Sequence, residues 1–210
     1  MIDFWFDFAS TYSYPTAFRI ENICRDARVE LKWRPFLLGP IFSSQGWNDS
    51  PFNIYSIKGQ YMWRDLERIC VDAHIPFRRP TVFPRNGLLA ARIACWFEDE
   101  LWLPEFVRKV YAANFALDLD ISDDEVIGNI LRELDQPLSI LTTAQAPEVK
   151  LKLRSQTEQA AALQIFGAPS FTVGNELFWG NDRLQAAVAW ANKKVENADL
   201  TSQRSNNSAV

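Results

Sequence analysis

Little in this chain supports metal or dithiol chemistry. Its 210 residues hold three cysteines and one histidine. Cys24, Cys70 and Cys95 stand far apart, and none belongs to a Cys-x-x-Cys pair, which excludes dithiol–disulfide exchange of that type. All three fall at apolar positions of helical patterns, so buried free thiols are expected, a state that suits a reducing cytosol. Three scattered cysteines and a lone His74 do not make a zinc site, and no metal is expected. His74 follows a helical run and precedes Ile75-Pro76, so it reads as a helix C-terminal residue. Positive charge is also short: 22 Lys and Arg against 26 Asp and Glu give a net charge of −4. That is the wrong sign for neutralising phosphates, so no nucleic-acid partner is expected. No apolar run approaches the ~20 residues of a membrane span. The richest, Gly87 to Phe97, carries Arg92 inside it. The first residues show a strand pattern and no basic leader. A cytoplasmic location without a membrane partner is the expectation.

Apolar side chains are plentiful. The chain is 48% hydrophobic and 13% aromatic, enough for a substantial core in one domain or one domain with a large insertion. Ile2 to Phe8 is short, apolar and aromatic, interrupted by Asp3 and Asp7, and reads as a buried strand. Ala17, Ile20, Cys24 and Ala27 then recur at helical spacing. Ser10 lies in the turn between, just before a helix N-terminus with its unpaired N–H groups and positive dipole end. An anion is stabilised there, a thiolate included. The turn reads Ser10-Thr11-Tyr12-Ser13, a Ser-x-x-Ser frame. A serine hydroxyl performs no redox chemistry, but it can donate a hydrogen bond to a thiolate that a ligand brings. Ser is equally a preferred helix cap, and this stretch alone leaves both roles open.

Val29 to Pro35 reads as a second strand, parallel to the first across a right-handed βαβ crossover. Phe36 to Ser56, with Gly39-Pro40, Gly46, Asn48-Asp49 and Ser50-Pro51, reads as a long loop. Ile57 to His74 is an amphipathic helix with Met62, Leu66, Cys70 and Ala73 on one face. Lys58 in its first turn opposes the helix dipole, as either an ordinary surface lysine or a partner for an anion. Thr81 to Asn86 is a loop. Further helices follow: one with Leu89, Ile93, Trp96 and Phe97, one opened by Pro104, one capped by Ser122 with Glu125 three residues on, and one from Pro147 to Leu163. Then Gly167-Ala168-Pro169 turns into a strand from Ser170 to Val173, where a cis Pro169 is expected. Gly174-Asn175 leads to a hairpin partner at Glu176 to Phe178. Gly180-Asn181-Asp182 opens a last helix, where Asp182 also suits the positive dipole end.

The order β-α-β, helices, β-β-α predicts an α/β thioredoxin-like fold with an inserted all-helical domain, DsbA-like in its plan. Residues 1–35 and 164–194 would form the thioredoxin-like part, 36–163 the helical insertion, and 195–210 a polar flexible tail.

Four blocks in order resemble the 2-hydroxychromene-2-carboxylate isomerases and the kappa-class glutathione transferases. They are FWFDFASTYSY, NIYSIKGQYMWRDLER, FGAPSFTV and FWGNDRL. The resemblance implies a glutathione-dependent isomerase, with glutathione as recycled cofactor and a small unsaturated aromatic pyruvate as electrophile. A kappa-like transferase or peroxidase, and a non-catalytic peptide-binding module, are the alternatives. A homodimer is the expected assembly. The resemblance also assigns residues: Ser10 beside the glutathione sulfur as the catalytic group, with Thr11 and Tyr12 in the same turn. Ala168, before Pro169, would pair its backbone with the cysteinyl part. Asn181 and Asp182 would hold the γ-glutamyl end, and Asn53 and Lys58 the glycyl end. The family turn has Pro where this chain has Thr11. Some of these isomerases place a lysine after the second strand, where LLGPIFSSQGW offers Phe42 instead. Arg85 and Asn86 are the alternative contacts for a substrate carboxylate.

Overall fold

Four strands form one mixed sheet in the order β2-β1-β3-β4. In the computed structural model, which describes residues 1–193, β1 (Ile2–Phe6) lies parallel to β2 (Leu31–Pro35) and antiparallel to β3 (Ser170–Val173). β4 (Glu176–Trp179) closes the edge as the antiparallel hairpin partner of β3. β1 is central and buried on both faces, which is why its sequence is a nearly continuous apolar run rather than an alternation. Phe4 and Phe6 face one core, where Phe4 stacks on Phe171 at 5.7 Å. Trp5 faces the other, packed with Phe36, Ile41 and Ile165. Asp3, the polar interruption, pairs with Arg34 of β2 at 3.0 Å.

α1 (Ser13–Asp26) makes the crossover from β1 to β2, burying Ala17, Ile20 and Cys24. Between β2 and β3 come α2 (Leu38–Ser44), α3 (Pro51–Ile54), α4 (Ser56–Asp72), α5 (Leu88–Trp96), α6 (Leu103–Phe115), α7 (Asp124–Glu133), α8 (Ser139–Thr143) and α9 (Pro147–Ala162). After β4 a 3-10 turn at Asn181–Arg183 leads into α10, residues 184–193. The expected flexible tail lies outside the described residues. One cluster of buried side chains runs from Phe4 and Phe6 through Tyr14 to Tyr111 and Phe115 of α6, so sheet and inserted helices share a core. Each ring buried there contributes roughly 1.5–3 kcal/mol.

The expected loop over 36–56 is corrected: it contains α2 and α3. Pro40 sits in the first turn of α2, where a missing N–H breaks no helical bond. Ser50 caps α3 with Pro51 at its first position. The cap of α7 is also corrected by one residue. Asp123, not Ser122, accepts the Glu125 N–H at 2.8 Å, while Ser122 binds Asp120. His74 lies just past α4 with a left-handed φ of 54°, reversing the chain there.

The three cysteines are free and buried. Burial pushes their thiols up, to about 11 at Cys24 and about 12 at Cys70 and Cys95, so they stay protonated and unreactive at neutral pH. Among the described residues no helix is long and apolar enough to cross a membrane.

Candidate active site

The turn after β1 is held from several sides. Ser10 N–H donates to the Asp7 carbonyl at 2.9 Å, and the Tyr111 hydroxyl donates to the same oxygen at 2.8 Å. Ser10 Oγ donates to the Ala168 carbonyl at 2.8 Å and accepts from the Ser13 N–H, the first of α1, at 3.3 Å. The hydroxyl thus joins the helix N-terminus to the proline turn. Ser13, the other serine of the frame, is wholly buried, and Thr11 is 2% exposed. Ser10 retains 7%.

The Ala168–Pro169 bond is cis, as the Gly-Ala-Pro sequence predicts. Gly167 is needed for close approach: a Cβ there would lie 2.4 Å from Nε1 of Trp179. Ser170 Oγ donates to the Gly167 carbonyl at 2.8 Å, and Gly180 N–H to the Pro169 carbonyl at 2.9 Å. The turn that carries Ala168 is therefore fixed at both ends.

α3 and α4 form the flank beside Tyr12. The Tyr12 hydroxyl donates to Asp65 of α4 at 3.0 Å, and its ring lies 6.2 Å from Phe52 of α3. Burial and the Asp65 carboxylate both raise the Tyr12 phenol, so it stays a neutral donor. Asn53 Nδ2 donates to the Asp49 carboxylate at 3.1 Å and to the Phe83 carbonyl at 3.2 Å. Lys58 is exposed, with Nζ 4.7 Å from the Tyr55 ring centre. Gly59, inside the Lys-Gly pair of the second motif, lets α3 and α4 touch, since a Cβ there would lie 2.2 Å from the Phe52 carbonyl oxygen. Gly59→Ala is expected to push α3 away and displace Phe52 and Asn53. A stability loss of about 1–3 kcal/mol by overpacking should appear in thermal melts, where an unchanged melting temperature would rule out the tight contact.

Asn181 and Asp182 follow Gly180, whose φ of 111° a side chain would strain. Asn181 Oδ1 accepts from Thr16 Oγ1 at 2.9 Å and Arg19 Nη2 at 2.7 Å, tying the start of the last helix to α1. Asp182 is exposed, its carboxylate 3.6 Å from the Arg183 guanidinium.

Next to the Ser10 turn is a cavity of about 240 Å³. Phe42, Trp47 and Phe83 are its aromatic walls, and Asp7 and Ala9 belong to the turn itself. Asp7 is 8% exposed, and its carboxylate accepts from Ala9 N–H and Leu38 N–H, each at 2.7 Å. Burial raises its pKa above the ordinary carboxylate value, while the two backbone N–H bonds pull it back down.

Arg85 and Asn86, the expected contacts for a substrate carboxylate, do not line that cavity. The Arg85 guanidinium is buried, bonded to Asn114 Oδ1 and its carbonyl at 3.2 Å and ion-paired with Asp118. Its charge is already compensated. Asn86 Oδ1 accepts the first N–H of α5, from Leu88, at 2.9 Å, and lines a separate cavity with Arg92 and Gln145. Sequence reasoning missed Asp7, Trp47, Thr16 and Arg19. A charge inside an apolar strand was the available signal for Asp7; the other three carry none outside their three-dimensional setting.

A parallel βαβ unit, a cis-proline turn facing a helix N-terminus and helices inserted between β2 and β3 define a thioredoxin-like protein with Ser10 in the turn before its first helix. The chain belongs to the DSBA-like thioredoxin domain family, whose model matches residues 1–189. It is 28% identical over 210 residues to a 2-hydroxychromene-2-carboxylate isomerase of Pseudomonas putida, covering 96% of this chain and 100% of the relative. It is 26% identical to glutathione S-transferase kappa 2 of Caenorhabditis elegans, covering 88% of each. A solved 2-hydroxychromene-2-carboxylate isomerase shares the fold with a TM-score of 0.82 at 24% identity, over 95% of this chain and 98% of that one.

Proposed function

We propose that this protein is a glutathione-dependent isomerase that holds the glutathione thiolate at Ser10. The observation that carries this reading is the Ser10 hydroxyl, set between the first N–H of α1 and the Ala168 carbonyl. Relatives named as an isomerase and as a glutathione transferase support it.

A free thiol titrates near pKa ~8.5, so little is thiolate at neutral pH. Lowering that by one to two units requires about 1.4–2.7 kcal/mol of differential stabilisation. A helix N-terminus supplies ~0.3–2 kcal/mol, and a hydrogen bond to a charged group about 1.5–3 kcal/mol. Ser10 with α1 is sufficient in magnitude, provided its proton turns from the Ala168 carbonyl to the sulfur. The strand-like backbone at Ala168 would then take the cysteinyl unit. Lys58 would answer the glycyl carboxylate with Asn53 beside it. The exposed Asp182 would answer the γ-glutamyl ammonium, while Asn181 keeps that turn on α1. The activated thiolate adds reversibly to a conjugated aromatic carbonyl compound seated against Phe42, Trp47 and Phe83. Net isomerisation returns glutathione unchanged; a transferase would consume it.

Glutathione at 100 times its Kd is expected to stabilise the fold by about 2.7 kcal/mol, read as a higher melting temperature. Asp182→Ala should shrink that shift by removing the ammonium's partner. A full glutathione shift in Asp182→Ala, with the last helix less stable, would leave Asp182 a helix-start residue only.

A further inference from the structure

Among the described residues, the cavity beside Ser10 is lined by aromatic and acidic side chains and by no basic one. Asp7 and Asp49 line it, and among the described residues that line it there is no lysine, arginine or histidine. The surrounding sequence explains this: from Pro35 to Ile57 no basic residue occurs, and Asp49 is the one charged side chain. The nearest basic residues in sequence are engaged elsewhere. Arg34 pairs with Asp3 and Glu98. Arg85, next to the cavity-lining Pro84, is buried in its pair with Asp118. Lys58 does not line the cavity, and the glutathione reading assigns it to the glycyl carboxylate. The remaining polar groups, Ser43, Asn48 and Ser50, are uncharged and suited to a carbonyl oxygen.

A carboxylate bound here would face the buried Asp7 and the exposed Asp49 carboxyl groups, with no cationic side chain among the described residues that line the cavity. Desolvating a charge without a partner is unfavourable, and like charges a few ångströms apart repel. Protonation of Asp7 would remove one repulsion, but neither of its forms supplies a positive charge. An uncharged aromatic ketone meets no such penalty and still buries its ring against Phe42, Trp47 and Phe83. We propose that the electrophile of this protein is an uncharged aromatic enone, not an arylpyruvate, and that the acidic rim of the cavity discriminates against a carboxylate on the substrate.

The inference rests on the glutathione reading above. The step balances without any further reactant. The thiolate sulfur bonds to the β-carbon, and the alkene pair moves to the carbonyl oxygen as an enolate. The former double bond rotates. The enolate pair then returns, the alkene re-forms in the other geometry, and the sulfur leaves with its electrons.

A matched pair of substrates tests this: the cis isomers of 4-phenylbut-3-en-2-one and of benzylidenepyruvate, which differ in a methyl group against a carboxylate. Each kcat/KM with glutathione is divided by the uncatalysed rate of the same compound with glutathione, to remove intrinsic reactivity. The ketone is expected to exceed the carboxylate by about tenfold or more. Phe42→Lys, which adds a cation to the wall, should move the ratio toward the carboxylate by about tenfold. Equal or better turnover of the carboxylate by the unmodified protein overturns the proposal, whether or not Phe42→Lys folds. If neither compound is isomerised while glutathione still raises the melting temperature, the enone assignment fails and glutathione binding stands. If glutathione does not shift the melting temperature at all, the glutathione reading fails and takes this inference with it.

Discussion

Ser10→Ala is expected to lower glutathione-dependent turnover at neutral pH by roughly tenfold or more while leaving the fold intact. A hydrogen bond to a charged acceptor is worth about 1.5–3 kcal/mol, equivalent to about one to two pKa units on the bound thiol. The α1 dipole remains in the variant, so the thiol rises toward its free value without passing it. The sign of the pH effect follows. Activity depends on thiolate, so a raised thiol pKa lowers turnover below that pKa, and activity returns as the pH climbs through it. Ultraviolet thiolate absorbance of the protein–glutathione complex, titrated for both proteins, reads the shift directly. Stability should fall modestly, by about 0.5–2 kcal/mol, since the hydroxyl also caps the Ser13 N–H and binds the Ala168 carbonyl. Identical titration curves and identical turnover would reduce Ser10 to a structural link between α1 and the proline turn.

Arg85→Met is expected to give the largest stability loss. The guanidinium is 5% exposed and holds Asn114, Thr81 and Asp118 together, so the 81–86 loop is anchored to the end of α6 through it. Removing one member of a buried pair leaves its partners without compensation, a loss that corresponds to roughly 6–20 °C in melting temperature for a chain of this size. The pair also sets an acid dependence. The Thr81 N–H first, and then Arg85, hold the Asp118 carboxyl down at about 2. Its folded pKa is below the unfolded one, so its contribution is complete above about pH 4 and is lost as pH falls through about 2. Melting curves at pH 5 and on stepping down toward 2 should therefore converge for the two proteins, because Arg85→Met has less to lose. A variant that melts like the parent but no longer turns over substrate would make Arg85 a substrate contact and not a structural anchor.

Much of this architecture can be read along the chain because its signals are local. The apolar run of β1, the serine turn, the periodic face of α1 and the Gly-Ala-Pro-strand sequence each act within a few residues. Backbone sterics, capping and burial decide such elements without distant partners. The Ser10 position and the cis turn at Pro169 were legible for the same reason.

The 36–56 segment was not legible, because what makes α2 start there is the Asp7 carboxylate 31 residues earlier, accepting the Leu38 N–H. Gly39-Pro40 alone reads equally as a turn or as the first turn of a helix, and contacts distant in the chain, this one and the Leu37 N–H donating to Thr157 Oγ1, favour the helix. Arg85 followed the same pattern: a basic residue in a loop looks available until Asp118, 33 residues on, neutralises it. By itself the sequence determined which segments bury their side chains and where helices and turns begin, since those choices depend on neighbours in the chain. The tertiary structure decided which of the remaining charges are paired, and brought the base-free 36–56 segment against Asp7 and Phe83 to make the cavity beside Ser10, because pairing and desolvation depend on groups that only folding brings together.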